Sequence, residues 1–332
     1  MKTAVITGAS GLVGGNLAEL LIAAGVHVRG ARRASTRIDH LADLAIEWVD
    51  APLEAGALTR AFTGADVVFH CAAIATQTRR LDGGHKETNV DGTRHVIEAV
   101  RRAGVPRLVH CSSVVTCAIA KKGGPDVTED DAWNFAAHGL DEIYAVTKRD
   151  AELAVLDAAR TTGGIDAVVV NPGLMFGPRD SKPSGGRMIL ELASGRIMGS
   201  TSGNSTFVDV RDVCRGMIAA WHRGKRGERY ILAGDNLSYA QAFALICEEL
   251  GKRPPPALPD VGVRIAGRAG DLLERVLGSE RMPLNSAVTT YGTCAGYRFS
   301  SAKAARALGY TIGPVRTAVR DAIAWFRSHQ RL

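Results

Sequence analysis

Tyr144 and Lys148 stand four residues apart in a stretch that reads as helix, which puts both side chains on one face. A free tyrosine titrates near ~10. An ammonium beside it favours the phenolate and lowers that value, which suits a group that gives or takes a proton. A solvated Tyr/Lys pair at this spacing is also ordinary on a helix surface, so the pair gains meaning from its company. Ser113 follows the apolar run Leu108-Val109-His110-Cys111, where its hydroxyl can donate to a substrate oxygen whose proton Tyr144 handles. Near the start of the chain, Thr7-Gly8-Ala9-Ser10-Gly11-Leu12-Val13-Gly14 leaves a first strand and opens a helix. Glycines remove the Cβ atoms that would hold a phosphate away from backbone N–H groups, and the helix N-terminus adds the positive end of its dipole. In that strand–turn–helix setting the loop reads as a phosphate cradle, the plainer alternative being a tight turn.

Alternating strands and helices must position these groups. Expected strands are Ala4–Ile6, Val26–Arg29, Ile46–Val49, Val67–His70, Leu108–Cys111 and Ala167–Val170. Expected helices between them are Gly14–Ala24, Leu53–Phe62, Thr88–Ala103 and Asp141–Arg160. This rhythm predicts an α/β fold with a doubly wound parallel sheet. From Asn171 onward it loosens into Pro/Gly-rich loops. A strand at Phe207-Val208, a helix over Arg211–His222, a strand at Tyr230–Leu232 and a final helix over Val315–Ser328 follow.

Composition narrows the function classes. Hydrophobic residues at 46% and charged residues at 23% are ordinary for a globular chain, which excludes a disordered or fibrous one. No apolar run approaches the ~18 residues of a membrane helix, and Met1-Lys2 leads straight into a strand with no room for a signal peptide. The six cysteines lack any metal-ligand spacing, so no metal is expected and reduced thiols in the cytoplasm are the natural reading. The net charge of +7 raises nucleic acid as a partner. The basic residues, however, come as short scattered pairs without interleaved aromatics, and no nucleic-acid or membrane partner is expected. His27, His70 and His110 read as packed core histidines.

The glycine spacing resembles that of the short-chain dehydrogenase/reductase superfamily. Further segments look like its extended branch, the NAD-dependent epimerase/dehydratase family: Thr88-Asn89-Val90-Asp91-Gly92-Thr93, His110-Cys111-Ser112-Ser113, Tyr144-Ala145-Val146-Thr147-Lys148 and Asn171-Pro172-Gly173. Gly177-Pro178-Arg179-Asp180-Ser181-Lys182-Pro183, Phe207–Val213 and Gly227–Leu232 are similar to a subgroup of dihydroflavonol-reductase-like and hopanoid-associated epimerase-like proteins. The resemblance implies a Rossmann-type domain over residues 1–175 plus about 207–234. It implies a smaller C-terminal substrate-binding domain over 176–206 and 235–332.

It also implies roles. Ser113, Tyr144 and Lys148 form the catalytic set, and Lys148 also holds the nicotinamide ribose. Asn89 supports the helix and the proton path, or else is a helix-capping amide. Gly8, Ser10, Gly11, Leu12, Val13, Gly14, Asp50, Ala72, Ala73, Pro172 and Gly173 belong with the cofactor, Asp50 accepting from the adenine or remaining a solvated turn aspartate. Met175, Phe176 and Phe207 are expected as apolar substrate lining, while Arg179 and Lys182 reach a polar substrate or stay solvated. Where the family's dehydratases carry an acid pair after the active-site hydroxyl, this chain has Val114 and Val115, which disfavours dehydration. An NAD-specific site places an acid at the end of the second strand, near position 32. Arg32-Arg33 stands there, and guanidinium groups suit a 2′-phosphate, so NADP(H) is the expected cofactor. The leading expectation is an NADPH-dependent reductase of a ketone or aldehyde, working as a homodimer on a small carbonyl or alcohol substrate. A nucleotide-sugar epimerase and a non-catalytic NADP sensor are the alternatives.

Overall fold

Short apolar runs rich in β-branched residues become strands, and the amphipathic stretches between them become the helices that cover both sheet faces. The computed structural model describes residues 1–76, 83–121, 123–277 and 285–332. Its first half comprises β1 (Thr3–Thr7), α1 (Leu12–Ala23), β2 (His27–Arg32), β3 (Ile46–Asp50), α2 (Ala55–Phe62), β4 (Val67–His70), α3 (Gly83–His85), α4 (Gly92–Ala103), β5 (Leu108–Cys111), α5 (Ile143–Arg160) and β6 (Ala167–Pro172). The second half comprises β7 (Leu174–Phe176), α6 (Gly186–Ala193), β8 (Asn204–Asp209), α7 (Val210–Arg223), β9 (Arg229–Leu232), β10 (Asp235–Ser238), α8 (Tyr239–Leu250), α9 (Asp260–Leu277), α10 (Ser286–Gly292), α11 (Ala302–Leu308) and α12 (Val315–Ser328).

The main sheet is parallel throughout and runs β3-β2-β1-β4-β5-β6-β9. Strand order reverses between β1 and β4, which opens a crevice at their C-terminal ends, the place where such sheets bind ligands. Side chains alternate across the sheet: Ala4 and Ile6 join a core with Leu17, Val213, Met217 and Trp221, whereas Val5 joins one with Leu58, Phe62, Val96 and Val155. A small second sheet, β10-β8-β7, carries α8 and α12 over a further core. The chain therefore leaves the main sheet after β6 and returns with α7 and β9.

Two departures from the expected elements bear on the site. The second strand continues to Arg32 rather than ending at Arg29, because it stays paired with β3 until Arg32 lies opposite Asp50. The helix expected from Thr88 begins instead as a π-helical turn over Lys86–Asp91 that runs directly into α4. Such turns cost hydrogen-bond geometry and recur at functional positions. Among the described residues no helix is long and apolar enough to cross a membrane.

His70 and His110 lie side by side on β4 and β5 with ring centroids 5.2 Å apart, and both are buried. The two nitrogens of His70 are bonded to the hydroxyls of Thr7 and Thr93 at 2.7 and 3.0 Å. Neither nitrogen of His110 has a hydrogen-bond partner among the described residues. Burial lowers both pKa values, that of His70 to about 3, and the Lys148 ammonium lowers them further. Between the ordinary value of 6.5 and about 3, the unfolded chain takes up protons that the folded chain refuses. Stability is therefore complete above the ordinary range and drains as pH falls through that window. We predict that His110→Leu flattens the acid limb of a plot of thermal midpoint against pH, since each neutral buried histidine contributes about 1.4 kcal/mol per pH unit to the slope. Superimposable slopes for the two proteins would contradict the assignment of His110 as a buried neutral ring.

Candidate active site

The loop after β1 is shaped by close approach. Gly8 adopts φ +73°, and a Cβ on it would lie 2.7 Å from the backbone nitrogen of Ala72. A Cβ on Gly14 would lie 2.3 Å from the carbonyl oxygen of Gly8, so neither position accepts a side chain. Gly11 donates its N–H to the Gly8 carbonyl at 3.0 Å. The Ser10 carbonyl faces His40 Nε2 at 3.1 Å and accepts from the Ser181 hydroxyl at 3.4 Å. Leu12 and Val13 begin α1 and turn into the core beneath the loop. Ala72 and Ala73 follow β4 on the other side of the crevice, where the Ala72 N–H donates to the Thr7 hydroxyl at 3.4 Å.

Arg32 closes β2 at the rim of this crevice. Its guanidinium lies over the Trp48 ring, 5.8 Å from the centroid, and donates to the Thr36 carbonyl at 3.2 Å. Its Nε is buried without a hydrogen bond and stands 3.4 Å from the Asp50 carboxylate. Arg33 is exposed and, among the described residues, pairs with no carboxylate. Asp50 thus sits beside Arg32 at the strand ends.

The catalytic candidates converge at the C-terminal end of β5. Ser113 follows the strand in extended conformation and caps a short 3₁₀ turn over Val114–Thr116. Its hydroxyl faces the Tyr144 phenol and acts to lower that group's pKa. Tyr144 and Lys148 lie on the first turns of α5, which Glu142 caps by accepting from the N–H groups of Tyr144 and Ala145 at 2.8 and 3.1 Å. Burial pushes the Tyr144 phenol up to about 12 against the opposing pull of the Ser113 hydroxyl. The sequence argument expected the reverse, a phenol lowered by Lys148. In the structure the Lys148 ammonium donates to the Cys111 carbonyl at 2.8 Å, and its own pKa is lowered by burial. Desolvation sets the direction and the Glu142 carboxylate adds to it, so the phenol is a proton donor at neutral pH. Asn89 caps no helix. Its amide bonds the Ile74 N–H and carbonyl at 2.8 and 3.0 Å and the Thr147 hydroxyl at 3.1 Å, tying the loop after β4 to the catalytic helix.

Pro172 ends β6 beside this cluster, and a Cβ on Gly173 would lie 2.6 Å from the Thr206 side chain. The apolar lining residues fall elsewhere. Phe176 and Phe207 are fully buried, stacked 5.8 Å apart in the core under α8 and α12, and Met175 packs against the main-sheet core. The structure does not bring these two phenylalanines to the crevice. Tyr144 itself packs against a buried cluster that includes Val114, Val115, Phe135, Tyr291 and Tyr297. Arg179 turns away from the crevice to Glu19 and Asp43, at 2.9 and 2.6 Å, and pins its loop across the start of the chain.

Sequence reasoning missed the group beneath the site. Glu152 is 2% exposed and accepts from the hydroxyls of Ser112 and Thr116 at 2.5 and 2.6 Å, from Asn171 Nδ2 at 2.6 Å and from Arg229 at 2.9 Å. The signal was present, since Tyr144, Lys148 and Glu152 continue one four-residue series along a single helix face. What the sequence did not reveal was that strands β5, β6 and β9 each aim a donor at that face.

A profile of the NAD dependent epimerase/dehydratase family matches residues 4–233. The chain is 33% identical to sterol demethylase protein B of Methylococcus capsulatus, over 98% of each chain. It is 32% identical to a putative dihydroflavonol 4-reductase of Synechocystis, over 98% of this chain and 94% of that one. The crystal structure of gox2253 superposes with a TM-score of 0.84 at 33% identity and covers 100% of both chains.

Removing one partner of a buried pair leaves an uncompensated charge. We therefore expect Glu152→Ala to cost about 3–5 kcal/mol in denaturant unfolding, with Glu152→Gln costing less because it keeps an acceptor oxygen. A loss below about 1 kcal/mol for the alanine variant, the range of surface pairs, would show that the network is not desolvated.

Proposed function

The chain belongs to the NAD-dependent epimerase/dehydratase family of extended short-chain dehydrogenases/reductases, and from that membership we propose an NADPH-dependent reductase of ketones or aldehydes. The observation that carries this reading is a phenol kept protonated by burial, beside the Ser113 hydroxyl and one helical turn from Lys148. A donor at neutral pH is what reduction of a carbonyl needs.

The residues present fit a nicotinamide dinucleotide. The Gly8 and Gly14 positions exclude any side chain, and a buried Arg32 nitrogen has no hydrogen bond among the described residues. The loop over Gly8–Gly14 would hold the pyrophosphate between Ala72 and the start of α1. Arg32 and the unpaired Arg33 would take the 2′-phosphate, Lys148 the nicotinamide ribose, and Pro172 and Gly173 would border the ring. When bound, that cofactor supplies the hydride. Ser113 then donates a hydrogen bond to the substrate oxygen, and Tyr144 delivers the proton. Val114 and Val115, both buried, offer no acid for dehydration. A sensor protein has no need of the three-residue set, and an epimerase would use it without consuming cofactor.

The apolar cluster on which Tyr144 packs and the sterol in a relative's name support a fairly apolar substrate. Free, mostly buried thiols suit the cytoplasm. A homodimer through α4 and α5 stays part of the proposal, although Ala151 is buried and Ala154 and Ala158 pack on their own subunit's core.

One set of titrations tests the assignments together. Tyr144→Phe should lower turnover of a carbonyl substrate by about 10²–10⁴-fold with NADPH affinity unchanged. The unmodified chain should bind NADPH on the order of 10² more tightly than NADH, a preference that Arg32→Asp with Arg33→Ala erases. Turnover of the phenylalanine variant within a few-fold of the parent, or NADH bound as tightly as NADPH, would contradict those roles.

A further inference from the structure

Helix α9 departs from an ordinary surface helix in burying two glycines while large apolar residues face outward. Gly267 and Gly270 are buried, and Gly267 lies against Thr289 of α10. Val261, Ile265 and Leu272 share a narrow arc of the helix and are 71%, 63% and 61% exposed. The surface continues beyond the helix. Leu258 is 41% and Met198 80% exposed, and the two segments are joined by the bridge between Ser200 and Ala257 and by the contact of Gly199 with Leu258.

The charges around this patch have one sign. Arg264 and Arg268 border the apolar arc, and Arg196 and Arg253 are exposed on the adjoining segments. Among the described residues none of the four pairs with a carboxylate. Two acids of the helix bond to the protein instead: Asp260 accepts from the Ser202 N–H at 3.2 Å and Asp271 from the Ser286 N–H at 2.9 Å. Arg264 also donates through Nε to the Thr293 hydroxyl at 3.1 Å. An apolar stripe rimmed by arginines without carboxylate partners is complementary to acyl chains beneath a layer of phosphates. It suits a second copy of the chain poorly, because a self-interface would set these arginines against one another.

We propose that α9 docks the protein on an anionic phospholipid surface. The helix lies in the plane of the interface, with Val261, Ile265 and Leu272 among the acyl chains and Arg264 and Arg268 at the headgroup phosphates. No described helix crosses the bilayer, so the attachment is peripheral and reversible. α10 stands directly behind α9, and its Tyr291 hydroxyl donates to Glu142 at the start of the catalytic helix at 3.1 Å. The docked face is therefore one helix removed from the cluster on which Tyr144 packs.

Co-sedimentation of the full chain with vesicles tests this without reference to turnover. The chain should pellet with phosphatidylcholine vesicles containing phosphatidylglycerol, much less with phosphatidylcholine alone, and less as salt is added. Ile265→Asp with Leu272→Asp should weaken partitioning by about tenfold or more, and Arg264→Glu with Arg268→Glu should remove the dependence on phosphatidylglycerol. Both variants should keep the parent's circular dichroism and thermal midpoint. Three results would overturn the proposal: no partitioning of the parent, equal partitioning of parent and variants, or sedimentation equilibrium in which the aspartate variant merely splits a dimer held by this face.

Discussion

The carboxylate of Glu152 is the constraint on which the geometry of the candidate site rests. Buried and charged, it is stable only if donors replace the water it has lost. Those donors come from four places in the chain: Ser112 at the end of β5, Thr116 in the turn that follows, Asn171 on β6 and Arg229 on β9. The Thr116 hydroxyl shares its one proton between Glu152 and the Ser113 carbonyl, which lies 2.8 Å away, so the backbone of Ser113 is tied to the same carboxylate. Glu152 sits on the helix that carries Tyr144 and Lys148. Satisfying one buried acid therefore sets serine, phenol and ammonium relative to one another, and it also seats β9, the strand that brings the chain back to the main sheet.

The cofactor side obeys a different rule, that of close approach rather than charge. The crevice between β1 and β4 exists because strand order reverses there, and it stays open because Gly8 and Gly14 lack side chains. Arg32 reaches its rim because β2 remains paired with β3 out to Asp50, which partly balances the guanidinium and holds it on Trp48. The two halves meet through Asn89, whose π-helical turn lets one amide bond both the loop after β4 and Thr147 of α5.

Much of this was legible in the sequence because it follows from local pattern. Short apolar runs, the glycine loop and the spacing of Tyr144 and Lys148 are short-range signals, and the strands and helices that carry them fall close to their expected positions. What escaped depends on distant contacts. Phe176 and Phe207 read as cleft lining from their place in a loop-rich stretch, but the small sheet and α12 bury them together. Arg179 looked free because Glu19 and Asp43 lie far away in the chain. The Tyr144 phenol was expected to be acidic from its neighbour, whereas its titration is set mainly by burial that no spacing reveals.

The central claim is that the chain reduces a carbonyl group and leaves the cofactor oxidised. Incubating the purified chain with NADPH and a panel of apolar ketones and aldehydes, while following the near-ultraviolet absorbance of the reduced nicotinamide, tests it most directly. The account predicts that one member of the panel drives loss of that absorbance in step with the alcohol formed, mole for mole. Conversion of a nucleotide sugar to its epimer with no net loss of absorbance, and no oxidation with any carbonyl, would contradict it.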